Sequence, residues 1–97
     1  MSRVNHILNE HADSRSKLTI RTFTDTEEVP ETYVLIEGDQ AALQFLAELI
    51  LAHASSDVCN LAIHPQSAGK LHFSNESTAG IYIHRVPCDL HRDDTIR

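Results

Sequence analysis

The run Thr32-Tyr33-Val34-Leu35-Ile36-Glu37, followed at once by Gly38-Asp39 and a long apolar-rich segment, constrains this chain more than any other feature. Aromatic and β-branched residues favour a pleated strand. Gly38 then releases the chain, and Asp39 is placed to accept the early N–H groups of a helix. Its negative charge also suits the positive end of the helix dipole. Beyond it Leu43, Leu46, Ala47, Ile50 and Ala54 recur at i, i+3, i+4, i+7 and i+11, which makes one continuous apolar face. Gln40, Gln44, Glu48 and Ser55 lie opposite, while Phe45, Leu49 and Ala52 widen the apolar arc. The sequence therefore predicts one amphipathic helix from Asp39 to Ala54, closed by Ser55-Ser56-Asp57.

Strands are expected on both sides of that helix. Leu18, Ile20 and Thr22 alternate with Thr19 and Arg21, the period of a half-buried strand. An acidic connection carrying Asp25, Glu27, Glu28, Pro30 and Glu31 closes a hairpin between this strand and the next. After the helix, Cys59, Leu61 and Ile63 alternate with Asn60, Ala62 and His64. Leu71 and Phe73 alternate with His72, and Ile81 and Ile83 with Tyr82 and His84. The order β-β-α-β-β-β predicts an α+β fold of two layers, a mainly antiparallel sheet of about five strands packed on one amphipathic helix. Residues 17–87 are expected to form this single domain. Residues 1–16 read as a flexible or short helical arm, since Val4, Ile7, Leu8 and His11 keep helical spacing but are too few to hold a helix alone. Residues 88–97 read as a disordered charged tail.

A chain of 97 residues suits one domain. With only five aromatic residues, its core must rest on Leu, Ile, Val and Ala. Fourteen acids against eight bases give a net charge of −6, which disfavours nucleic acid as a partner, because such binding begins with cationic neutralisation of phosphates. The same charge permits a basic protein partner, and it also simply keeps a surface soluble. Cys59 and Cys88 are far apart and lack CxxC spacing, so no disulfide framework is expected. Cys59 reads as a small core hydrophobe and Cys88 as an inert surface thiol. No secretion signal opens the chain, and the apolar-rich run from Ala41 to Ala54 is too short to cross a membrane. A cytoplasmic protein without a membrane partner is the expectation. No Gly-rich phosphate loop, paired catalytic carboxylates or activated thiol is visible, so neither catalysis nor a cofactor is expected.

Seven histidines are many for this length, and parity makes three of them interesting. If Leu71, Phe73, Ile81 and Ile83 face the helix, then His64, His72, Tyr82 and His84 share the outer face. Opposed residues on neighbouring strands stand about 4.5–5.5 Å apart at Cβ, so His64, His72 and His84 can converge on a divalent metal. The same face can instead be a pH-sensitive partner surface or an ordinary solvated one. Parity leaves the choice open because it does not set register. Asp25, Glu27, Glu28 and Glu31 form a second candidate surface, suited to cations on another protein, though an acidic loop also serves merely to keep a hairpin end soluble.

The segment Ile36-Glu37-Gly38-Asp39-Gln40-Ala41-Ala42-Leu43, with Leu46-Ala47, His64, Leu71 and Ile81 to Arg85, resembles a group of small α+β immunity proteins encoded beside bacterial polymorphic toxins. The resemblance spans residues 32–86. It implies inhibition of a toxin by direct binding, without catalysis, and carries over no individual contact residue. The expected function is a small non-catalytic protein-binding domain acting through His64, His72, Tyr82, His84 and the acidic loop, with a basic toxin as partner. Two other readings compete: a homodimer formed through a sheet edge or the wide helix face, and a small metal-binding or enzymatic protein using the outer-face histidines.

Overall fold

In a computed structural model that describes residues 2–25 and 30–88, the helical alternative for the N-terminal run is the one seen: Arg3–Glu10 form a helix, α1. The Ser2 hydroxyl caps it by accepting the Asn5 N–H at 3.1 Å. Eight residues do not sustain a helix in water. This one is held by docking on a second helix, α2 (Gln40–Ala54), with Val4 and Ile7 buried.

Asp39 caps α2 as the sequence predicts, its Oδ1 accepting the Ala42 N–H at 2.9 Å and its Oδ2 the Ser16 hydroxyl at 2.9 Å. These two bonds hold the Asp39 carboxyl below its ordinary pKa. The buried face of α2 differs from the expected one. Ala42, Phe45, Leu46, Leu49 and His53 are inside, whereas Leu43 and Ile50 are 43% and 44% exposed. The two stripes have identical spacing and differ by one residue, about 100° around the helix. Packing selects the stripe that carries Phe45 and Leu49, whose bulk fills the space against α1 and the start of the first strand.

That strand, β1 (Thr19–Asp25), pairs antiparallel with β2 (Glu31–Glu37), from Thr19↔Glu37 to Asp25↔Glu31. A second antiparallel pair joins β3 (Asn60–Ile63) to β4 (Ile81–His84), from Asn60↔His84 to Ile63↔Ile81. The α+β class and the antiparallel pairing match expectation. The single sheet of about five strands does not: the described residues contain four strands in two separate two-stranded sheets.

The missing strand is the one expected at Lys70–Phe73. Lys70–His72 form a 3-10 helix instead. Gly69 adopts φ 84°, and the His72 and Phe73 N–H groups then bond back to Gly69 and Lys70 at 2.9 and 3.2 Å. Donors committed to a tight turn cannot join a ladder. Only an isolated parallel bridge, Leu18↔Phe73, remains. The turn also inverts the expected facing of two side chains: Leu71 is 56% exposed and His72 only 6%.

The core draws Val4 and Ile7 from α1, Leu18 and Ile20 from the start of the hairpin, four residues of α2, Ile63 from β3, and Phe73. The polar loop after Phe73 is bonded to the first half of β1. Ser74 and Thr78 N–H groups donate to Leu18 and Ile20 carbonyls, while the Ser77 hydroxyl donates to Leu18 O and accepts from Ile20 N. Buried Ser77 is thereby satisfied on both sides. Among the described residues of the β1–β2 hairpin from Arg21 onward both faces are exposed, and only Leu35 is partly covered. Glu27, Glu28 and residues 89–97 of the tail predicted at 88–97 lie outside the described residues. No helix among the described residues is long and apolar enough to cross a membrane.

Candidate functional site

The exposed hairpin is the first surface that the fold sets apart. Phe23 and Tyr33 face each other across the ladder and stack at 5.3 Å. The Tyr33 hydroxyl donates to Glu31 Oε1 at 2.8 Å, and this bond, more than desolvation, pushes the phenol above its ordinary pKa. On the opposite face Val34 is 62% exposed and Ile36 nearly half. Among the described residues no strand pairs with the outer edge of β2. Asp25 and Glu31 share the last rung, which concentrates negative charge at the hairpin's far end.

The second surface is the outer face of β3–β4. Tyr82 lies exposed opposite Ala62, with the Asn60 side-chain amide donating to its hydroxyl at 3.5 Å. His84 is opposite Asn60 at one end of the ladder, and exposed His64 lies just beyond the other end, its Nδ1 accepting the Gln66 N–H at 3.0 Å. Four residues of strand separate these positions, about 13 Å at the usual rise. His72 is buried elsewhere. The structure therefore does not bring His64, His72 and His84 together: of the four expected outer-face residues His64 and Tyr82 are exposed, His84 is half-buried and His72 is buried.

His72 instead stacks on Phe45 at 4.6 Å, and His11 approaches the same ring at 5.0 Å. Burial first, then the charges of Lys17 and His11, hold the His72 pKa below its ordinary value. A histidine whose folded pKa is depressed takes up its proton more readily when unfolded. Its stabilising effect is complete above the unfolded value of about 6.5 and is lost as pH falls through the lower folded value. Urea midpoints measured from pH 8 to pH 5 should fall below about pH 6.5, and fall less in His72→Phe, which keeps the stacked ring without the titration. Parallel curves for the two proteins would refute this.

A third grouping has no local signature in the sequence. Cys59, His84 and Cys88 place their donor atoms within 4.8 Å of one another. Neither cysteine is in a disulfide. A hydrogen bond with Cys88, then burial, pushes the Cys59 thiol above its ordinary pKa. No family model, curated protein or solved structure matches the chain. Its surfaces must therefore be read from their own chemistry. The cluster follows from register: Asn60↔His84 sets Cys59 beside the end of β4, and the Arg85 N–H donates to Cys59 O at 2.7 Å. The expected reading of Cys59 as a buried residue agrees with the fold, but Cys88 is half-buried against it rather than lying apart on the surface. The register of β3 and β4 sets Cys59 beside His84, and the bend at Val86 and Pro87 returns Cys88 to them; neither has a local signature in the sequence.

Proposed function

We propose that this chain is a non-catalytic protein-binding domain that accepts a strand of a basic partner along the open edge of β2. It would act as an immunity protein does, by neutralising a toxin through direct contact. The observation that carries this reading is the solitary hairpin. Two-stranded sheets are marginal in water, and a third strand supplies both backbone bonds and cover for apolar faces. β2 offers an apolar centre, Tyr33 to Ile36, between Glu31 and Glu37. Pairing β2 antiparallel with a second copy about Val34 would set Glu31 against Glu37 twice, and like charges opposite one another are unfavourable. An apolar strand flanked by Lys or Arg meets no such penalty, and the net charge of −6 favours its approach. Tyr82, His64 and His84 would then belong to a separate face.

The test is co-expression with the product of the neighbouring gene, followed by amide exchange in the complex. Protection of β2 on binding is the expected result. Val34→Asp should weaken binding about tenfold or more while shifting stability by no more than about 0.5 kcal/mol. No binding, or binding that leaves β2 exchange unchanged, would overturn the reading. One observation favours a second reading, a homodimer: the exposed stripe of α2 carrying Leu43, Ile50 and Leu51. Sedimentation separates the two, since a monomer at micromolar concentration removes the homodimer.

A further inference from the structure

We propose that Cys59, His84 and Cys88 form a zinc-binding site, distinct from the hairpin surface. The three donors come from three places in the chain. Cys59 precedes β3, His84 ends β4, and Cys88 follows four residues later as the chain bends over Val86 and Pro87. Their donor atoms already lie within 4.8 Å of one another. Around a tetrahedral zinc ion, with bonds of about 2.3 Å to sulfur and 2.0–2.1 Å to nitrogen, ligand atoms stand roughly 3.5–3.8 Å apart. Closure by about an ångström suffices, within the reach of side-chain rotation.

The donor set selects the ion. Two thiolates and an imidazole suit zinc, whereas magnesium and calcium demand oxygen. Two thiolates also cancel the ion's charge, so a half-buried site carries no net charge once filled. Three protein ligands leave a fourth position for water or an exogenous donor.

The frame of the site is fixed by bonds that do not use the donor atoms. The Cys59 carbonyl accepts from Arg85 N at 2.7 Å and from His53 Nε2 at 3.1 Å, which makes Nε2 the protonated nitrogen of buried His53. The Arg85 guanidinium in turn donates to the His53 and Ser56 carbonyls at 3.2 and 2.7 Å, tying the end of β4 to the end of α2. Cys59 is buried, and His84 Nε2 is shielded from solvent. Cys59 and His84, anchored in this way, are positioned before the metal arrives, and Cys88 closes on them from the bend after β4. The competing account is that two thiols and a ring pack at a strand end as small apolar groups do.

The experiment uses untagged full-length protein, reduced, stripped with chelator and titrated with Co2+ and then Zn2+. One equivalent of Co2+ should give thiolate-to-cobalt charge-transfer absorption in the near ultraviolet, bleached by Zn2+, and Zn2+ should raise the thermal midpoint. Cys88→Ser and His84→Gln should each weaken zinc binding at least roughly tenfold, the lower end of what losing mere support for a ligand costs. His64→Gln should leave it unchanged. Far-ultraviolet circular dichroism checks the fold of each variant, and Cys88 lies outside both ladders. Absence of the charge-transfer band in folded wild type, or undiminished zinc affinity in folded Cys88→Ser, would overturn the proposal.

Discussion

Ile7→Ala is expected to remove about 2–5 kcal/mol of folding stability, the range for truncating a fully buried aliphatic side chain. Ile7 is wholly buried in the cluster that joins α1 to α2 and to Leu18. The cost has two sources, the lost transfer of the removed carbons from water and the cavity left between two helices that cannot close fully. Domains are stable by only about 5–15 kcal/mol, so this one substitution brings the chain near its limit. Urea unfolding should show a lower midpoint at unchanged slope. Glu10→Ala is the matched control, because the His6–Glu10 pair is half exposed at 3.3 Å and should shift stability by less than about 0.5 kcal/mol. An arm that only touches the domain would make the two variants alike, and that result would remove α1 from the core.

The N-terminal run illustrates why part of this fold could not be read locally. Val4, Ile7 and Leu8 have helical spacing, but a helix this short takes its stability from what it docks against, and the docking surface lies some 40 residues away in the chain. Where the signal is local, the sequence is informative. Gly38-Asp39 marks the start of α2 because the cap is made by the residue itself. The alternation in β1, β3 and β4 predicts those strands because side-chain direction follows directly from extended backbone, and the run of β-formers in Thr32–Glu37 predicts β2. The phase of α2 was a different matter. Ala42-Phe45-Leu46-Leu49-His53 and Leu43-Leu46-Ala47-Ile50-Ala54 satisfy the same periodicity, and only tertiary packing chooses between them. The stripe that lost is what leaves Leu43 and Ile50 at the surface.

The candidate surfaces divide in the same way. The acidic hairpin was visible because charge is a property of composition, although its open edge depends on how many strands the sheet contains. Convergence of His64, His72 and His84 assumed a strand at 70–73, and the grouping dissolves once that segment turns. Cys59 and Cys88 were separated by 28 residues and by opposite expectations of burial, so nothing local joined them. The discrepancies at His72 and Leu71, and the loss of the strand expected at Lys70–Phe73, trace to the turn that opens at Gly69.

Gly69→Ala should therefore be among the most damaging single changes, costing roughly 2–4 kcal/mol. At φ 84° an L side chain strains the backbone by about 1–2 kcal/mol. An added Cβ would also come within 2.7 Å of Ile63 Cβ and Cγ2. Those atoms belong to a buried strand residue near its backbone and cannot swing aside, so the turn must move. If it moves, the 3-10 helix opens, and His72 leaves its place on Phe45. The His72 titration should then rise toward the ordinary histidine value, because burial is the main cause holding it down. A ring-proton titration by NMR, alongside the urea midpoint, reads both effects on one sample. Loss of stability with an unmoved His72 titration would mean that the strain is absorbed at Ile63 alone. A raised titration would tie the turn, the stacked ring and the missing fifth strand to a single backbone angle.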